Sequence, residues 1–180
     1  MRPSGCVEEV QGVPWKPVTT AKAVLASVAF AMIFLLVLRS AKGFIPIIDH
    51  ANLAFHEAGH LIYGLFGNTL GLYGGTLGQL TFPLVAAISF WMRREAVSSA
   101  LSGVWFFENW LNIARYMADA RAQLLPLVGG GEHDWFHILS RWGLLSRDTT
   151  IAGVVNGLGW LGMISMWAWV IWRWWQDRQS

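Results

Sequence analysis

The chain has 180 residues, of which 54% are hydrophobic and only 13% charged, and its mean hydropathy of +0.42 excludes an ordinary water-soluble domain. A net charge of +2 arises from 13 basic residues scattered beside apolar runs, not gathered on one polar face, which excludes a nucleic-acid-binding surface. The single cysteine, Cys6, excludes an intramolecular disulfide and a cysteine-based zinc cluster, so any metal must be held by histidine and carboxylate.

Residues 1–18 read as a polar tail containing Pro3, Pro14 and Pro17. Beyond it, runs of roughly 20 apolar residues, the length that crosses about 30 Å of hydrocarbon as a helix, predict a single transmembrane helical domain over 19–180. Its spans are 19–38, 44–66, 77–92, 97–118 and 151–172. The first is too long for the apolar core of a signal peptide. The second carries Asp49, His50, Asn52, His56, Glu57 and His60, which are costly to insert. The glycine-rich stretch 67–75 reads as a tight connection into a short third span. The fourth holds Glu108, Asn112, Arg115 and Asp119 at helical spacing, so that they share one face; Glu108 and Arg115 are also placed to form an internal ion pair.

The stretch 119–150 is the one long connection. It contains Gly129-Gly130-Gly131, which would let the backbone dip toward the second span, followed by Glu132-His133-Asp134-Trp135-Phe136-His137 and an interfacial helix beginning near Trp135. In the last span, Gly153, Gly157, Gly162 and Ser165 read as small residues for close helix packing. The fold class is therefore all-α: an integral, multi-pass membrane protein in contact with lipid, with about five transmembrane helices and one long loop. Five crossings place the two chain ends on opposite sides. The basic residues divide almost evenly between those sides, so they assign no orientation.

The sharpest motif is His56-Glu57-Ala58-Gly59-His60. At about 100° per residue, His56, Glu57 and His60 share one helix face. Two imidazoles one turn apart grip a single Zn²⁺, and the adjacent carboxylate activates a water. With five His and six Glu in the chain, random placement gives about 0.005 such motifs. Asp49, Asn52 and Tyr63 continue the stripe and are placed to orient the ligands, whereas His50 lies off it as a packing residue. Catalytic zinc takes three protein ligands. Asp119, which closes the polar face of the fourth span, is the first choice for the third; His133 competes with it, and Asp134 follows.

A HEAGH motif inside a hydrophobic span, followed by a glycine-rich connection, further spans and a late aspartate, resembles the site-2 protease family of intramembrane zinc metalloproteases. The resemblance covers roughly residues 44–119. It implies that His56 and His60 bind zinc, that Glu57 is the general base and that an aspartate on a later span completes the site. The stretch from Asn112 to Asp119-Ala120 departs from the family's pattern, having neither its proline nor the glycine after the aspartate.

The leading expectation is a membrane-embedded zinc-dependent hydrolase that cleaves a peptide bond of a membrane-embedded or juxtamembrane protein substrate. A second is a dinuclear-metal membrane oxidoreductase in which His56 and His60 pair with His133 and His137. A third is a small non-catalytic subunit of a larger membrane complex.

Overall fold

The computed structural model describes residues 13–40, 44–128 and 132–179. The expectations placed on Gly129–Gly131 and on most of the N-terminal tail, Cys6 included, lie outside the described residues. Among those described, the chain is all-helical: α1 (Thr20–Arg39), α2 (Pro46–Gly64), α3 (Asn68–Met92), α4 (Ala96–Ala118), α5 (Asp134–Arg141) and α6 (Asp148–Asp177), with a single 3₁₀ turn at Leu145–Arg147.

Three helical segments are long and apolar enough to cross a membrane, namely Thr20–Arg39, Asn68–Met92 and Leu145–Asp177. Their outer surfaces are correspondingly apolar: Leu25, Val28, Leu35 and Leu38 of α1 and Val154, Leu158 and Leu161 of α6 are all exposed. α4 fills the centre. It buries Ala100, Val104 and Leu111 against Phe30 of α1 and Met163 and Val170 of α6.

The pairings fix the direction of each helix. Along α1 and α6, Thr20 meets Trp174, Ser27 meets Trp167 and Phe34 meets Trp160. α3 and α4 pair Ala87 with Ser99 and Gln79 with Asn109. α1 and α4 therefore run one way and α3 and α6 the other. At one end of this bundle the Val18 amide donates to Asp177 Oδ2 (2.8 Å) and the Lys16 amide to the Arg94 carbonyl (3.0 Å). Lys16 Nζ also lies 2.5 Å from Glu95, and this ammonium holds the Glu95 carboxyl below the usual carboxylate range. Trp15 packs there between Trp91 and Trp169, with the Arg94 and Arg173 guanidinium groups over its ring.

The five-span expectation puts the two chain ends on opposite sides; among the described residues Val18 and Asp177 meet at one end of the bundle. α2 occupies one half of that bundle. Its first turn meets Asn112, through Asp49, and its last turn packs Gly64 on Gly71. Both contacts fall in the half of the bundle that holds the start of α3 and the end of α4. α2 thus lies against that half, and it is not among the helices long and apolar enough to cross a membrane. Its outer side is apolar, with Leu61, Leu65 and Phe66 between 71% and 84% exposed.

The glycine-rich stretch expected to be a connection is instead the first turns of α3; only Gly67, at φ 114°, forms the turn. The glycines are helical because α2 requires a neighbour without side chains. A Cβ on Gly74 would strike the Gly59 carbonyl, one on Gly78 the Phe55 carbonyl, and one on Gly75 the rings of His56 and His60. Glycines four apart permit this backbone-to-backbone approach. In α6, Gly162 serves the expected packing role against Phe107, while Gly153 and Gly157 face open space.

These contacts predict two separable outcomes. Gly78→Ala forces helix backbones apart and should lower thermal stability by the roughly 1–3 kcal/mol typical of overpacking. Gly75→Ala should instead act mainly on metal affinity, because its methyl displaces imidazoles. Thermal melts and chelator titrations of the two variants in detergent check this.

Candidate metal centre

The HExxH helix is set up by its first turn. Pro46 begins α2 with a preset φ, and Asp49 Oδ2 accepts from the Ile45 amide at 2.5 Å. From there Asp49, Asn52, His56 and Gly59 are buried. α5 arrives from the opposite direction, seated by Trp135, Ile138 and Leu139 against Ile113, Ala114 and Met117 of α4 and Ala152 of α6. A helix is therefore present where one was expected, with Trp135, Ile138 and Leu139 turned into the bundle. Its first residue, Asp134, donates its backbone amide to Tyr116 Oη (3.1 Å) and extends its carboxylate to the histidines.

His56 Nε2 lies 3.0 Å and His60 Nε2 3.1 Å from Asp134 Oδ2, and the two nitrogens are 3.2 Å apart. Among the described residues this is the one group of three histidine, cysteine or carboxylate side chains whose ligand atoms converge closely enough to hold a metal ion. Tetrahedral ligands at 2.0–2.1 Å from a zinc ion lie about 3.3 Å from one another, close to the observed triangle. The outer nitrogens face away. His60 Nδ1 donates to the Gly71 carbonyl (2.8 Å) and His56 Nδ1 to Gln79 Oε1 (2.8 Å). Since a carbonyl only accepts, His60 Nδ1 carries a proton, and in the neutral ring Nε2 then offers a lone pair. With both rings neutral, two imidazole lone pairs and a carboxylate oxygen meet, an arrangement that a cation satisfies; a protonated His60 instead donates from Nε2 to Asp134.

The group opens on a cavity of about 860 Å³. Glu57, His50, Asn112 and Arg115 stand on its polar walls, and Leu124, Leu125, Pro126, Leu127 and Val128 form an apolar lip. Glu57 follows His56 on α2 and is half-buried at this wall.

The other residues singled out from the sequence lie nearby in different roles. Asp119, at the end of α4, accepts from the Leu124 amide (2.9 Å) and the Leu125 amide (3.0 Å), and its Oδ2 is 3.4 Å from His133 Nε2. His133 caps α5 by accepting from the Phe136 amide (3.3 Å) and packs on the Tyr116 ring. These two hold the base of the loop that delivers Asp134; neither joins the histidines. His137 pairs with Glu132 at 2.7 Å, so the second HxxxH pair is also engaged elsewhere. His50 is exposed, bonded to the Pro46 carbonyl and edge-on to Phe44. Glu108 turns toward Asn52, whose Nδ2 donates to it at 2.9 Å, and Arg115 stacks over Phe44. Tyr63 reaches Thr81 (2.7 Å) rather than a histidine.

Sequence reasoning did not single out Gln79 as a partner of His56. The signal available was an amide inside an otherwise apolar run one turn after the glycines. Comparisons with models of known protein families, with curated proteins and with solved structures found no match.

Proposed function

We propose that the chain is a multi-pass membrane protein in which α1, α3, α4 and α6 cross the bilayer, and that it acts as a zinc-dependent hydrolase of the site-2 protease kind. Its substrate is a membrane protein cut close to the membrane face. The observation that carries this reading is the meeting of both HExxH imidazoles with Asp134 at the wall of a large cavity that Glu57 shares. Two imidazoles and one carboxylate leave the fourth position open, the pattern of catalytic rather than structural zinc.

A divalent ion held there supplies Lewis acidity to a water and to a substrate carbonyl. The remaining chemistry belongs to the chain. Glu57 takes the proton of the attacking water and returns it to the leaving amine. The lip of Leu124 to Val128 gives apolar side chains of the substrate a surface and limits water around the reacting carbonyl. The cavity extends from Gln79, midway along α3, to Leu72 near its start and to Arg115 and Tyr116 near the end of α4, and this opening toward one end of the bundle supports a juxtamembrane cleavage site.

The test is cleavage of single-span reporter proteins with varied juxtamembrane sequences, reconstituted with the purified protein in liposomes, the products being located by mass spectrometry. Chelator-sensitive cuts near one membrane face are expected. Intact reporters across the panel, with zinc bound to the protein, overturn the hydrolase reading.

A further inference from the structure

We propose that Gln79 is the positioning residue that keeps His56 in its metal-binding tautomer, and that α4 enforces its orientation through Asn109 and Asn112, whose amides are fixed by groups that do not touch the histidines. The inference rests on the metal-binding reading but not on hydrolysis. His56 Nδ1 faces Gln79 Oε1; were that amide turned over, its NH₂ would donate to Nδ1, move the ring proton to Nε2 and block the nitrogen that faces Asp134.

What prevents the turn can be followed atom by atom. Asn112 Nδ2 donates to Asp49 Oδ1 (2.7 Å). Asp49 accepts on its other oxygen from the Ile45 amide, and Asn52 also donates to the oxygen that Asn112 meets; as the acceptor there, that oxygen fixes Asn112 with its NH₂ toward Asp49. Asn112 Oδ1 consequently faces Gln79. Asn109 reaches the same state independently, because its Nδ2 donates to the Trp105 backbone carbonyl (3.0 Å), a group that only accepts. Gln79 Nε2 therefore meets two acceptors, Asn112 Oδ1 at 3.1 Å and Asn109 Oδ1 at 3.3 Å. With its NH₂ held there, its carbonyl points at His56.

All of these partners are buried or half-buried, so water does not readily substitute for a lost member. A carboxylate at Asp49 and a main-chain carbonyl at Trp105, neither touching the metal ligands, thus determine which nitrogen of His56 holds the lone pair.

The test uses the full chain in detergent, with Zn²⁺ as the probe and ¹⁵N-labelled histidine to read the ring tautomer directly. Gln79→Leu should weaken Zn²⁺ binding 10- to 100-fold, the range for loss of an outer partner, and release His56 into a mixture of tautomers. Gln79→Glu keeps an acceptor facing Nδ1 and, with its outer oxygen protonated to donate to Asn109 and Asn112, should stay within 10-fold of the parent with the tautomer unchanged. The Asn109→Leu/Asn112→Leu double variant should behave like Gln79→Leu, each single change being milder. Equal loss of affinity in Gln79→Glu and Gln79→Leu would reduce Gln79 to a packing residue and overturn the inference, as would a His56 ring protonated on Nε2 in the parent. Should the parent bind no Zn²⁺, the metal reading fails, while the tautomer measurement still decides the inference.

Discussion

Removing either histidine of the HExxH motif, or Asp134, is expected to strip the metal from the protein. His56→Ala, His60→Ala and Asp134→Ala each delete one corner of the 3.0–3.2 Å triangle, leaving two ligands where catalytic zinc takes three. The loss should exceed the 10- to 100-fold that an outer partner costs. Asp119→Ala and His133→Ala provide the contrast. They loosen the base of the loop but leave the triangle's atoms in place, so their effect should fall within that smaller range. Elemental analysis and competition with a chelator measure all five variants. If Asp119→Ala releases zinc while Asp134→Ala retains it, the ligand set is wrong.

Glu57→Gln is expected to separate binding from chemistry. The amide matches the carboxylate in shape, and Glu57 is not in the triangle, so zinc and fold should persist. Turnover should fall by at least about 10², because an amide does not accept the water proton. Reporter cleavage in liposomes, compared at equal zinc content, gives the result. Undiminished cleavage would remove Glu57 from the mechanism.

The helices and half of the site were legible in the sequence because both rest on local periodicity. Apolar runs mark α1, the later part of α3 and α6, and the four-residue spacing of His56 and His60 places them on one face wherever the helix goes. The third member of the candidate site is a different kind of feature. Asp119 and Asp134 are both carboxylates near the end of α4, and the choice between them depends on where the loop turns and on Trp135, Ile138 and Leu139 seating α5. Those contacts are long-range and leave no period behind. The glycines of α3 misled for a related reason. Taken alone, glycine disfavours a helix by about 1 kcal/mol, yet packing α2 against bare backbone outweighs that penalty, and only the partner helix reveals it. The number of helices that cross is likewise not given by apolar length, which marks a segment as able to sit in lipid without giving its tilt.

The joining of Val18 to Asp177 and of Lys16 to the Arg94 turn has a consequence for compartments. If four helices cross, the chain's first and last described residues emerge into the same aqueous space, and the metal cavity opens toward the other. Reporters that are active on only one side of a membrane, fused in turn to each terminus, should then give the same reading, whereas an odd number of passes gives opposite ones. On that arrangement a protein attached to either end of this chain would work in one compartment while the proposed metal site faces the other.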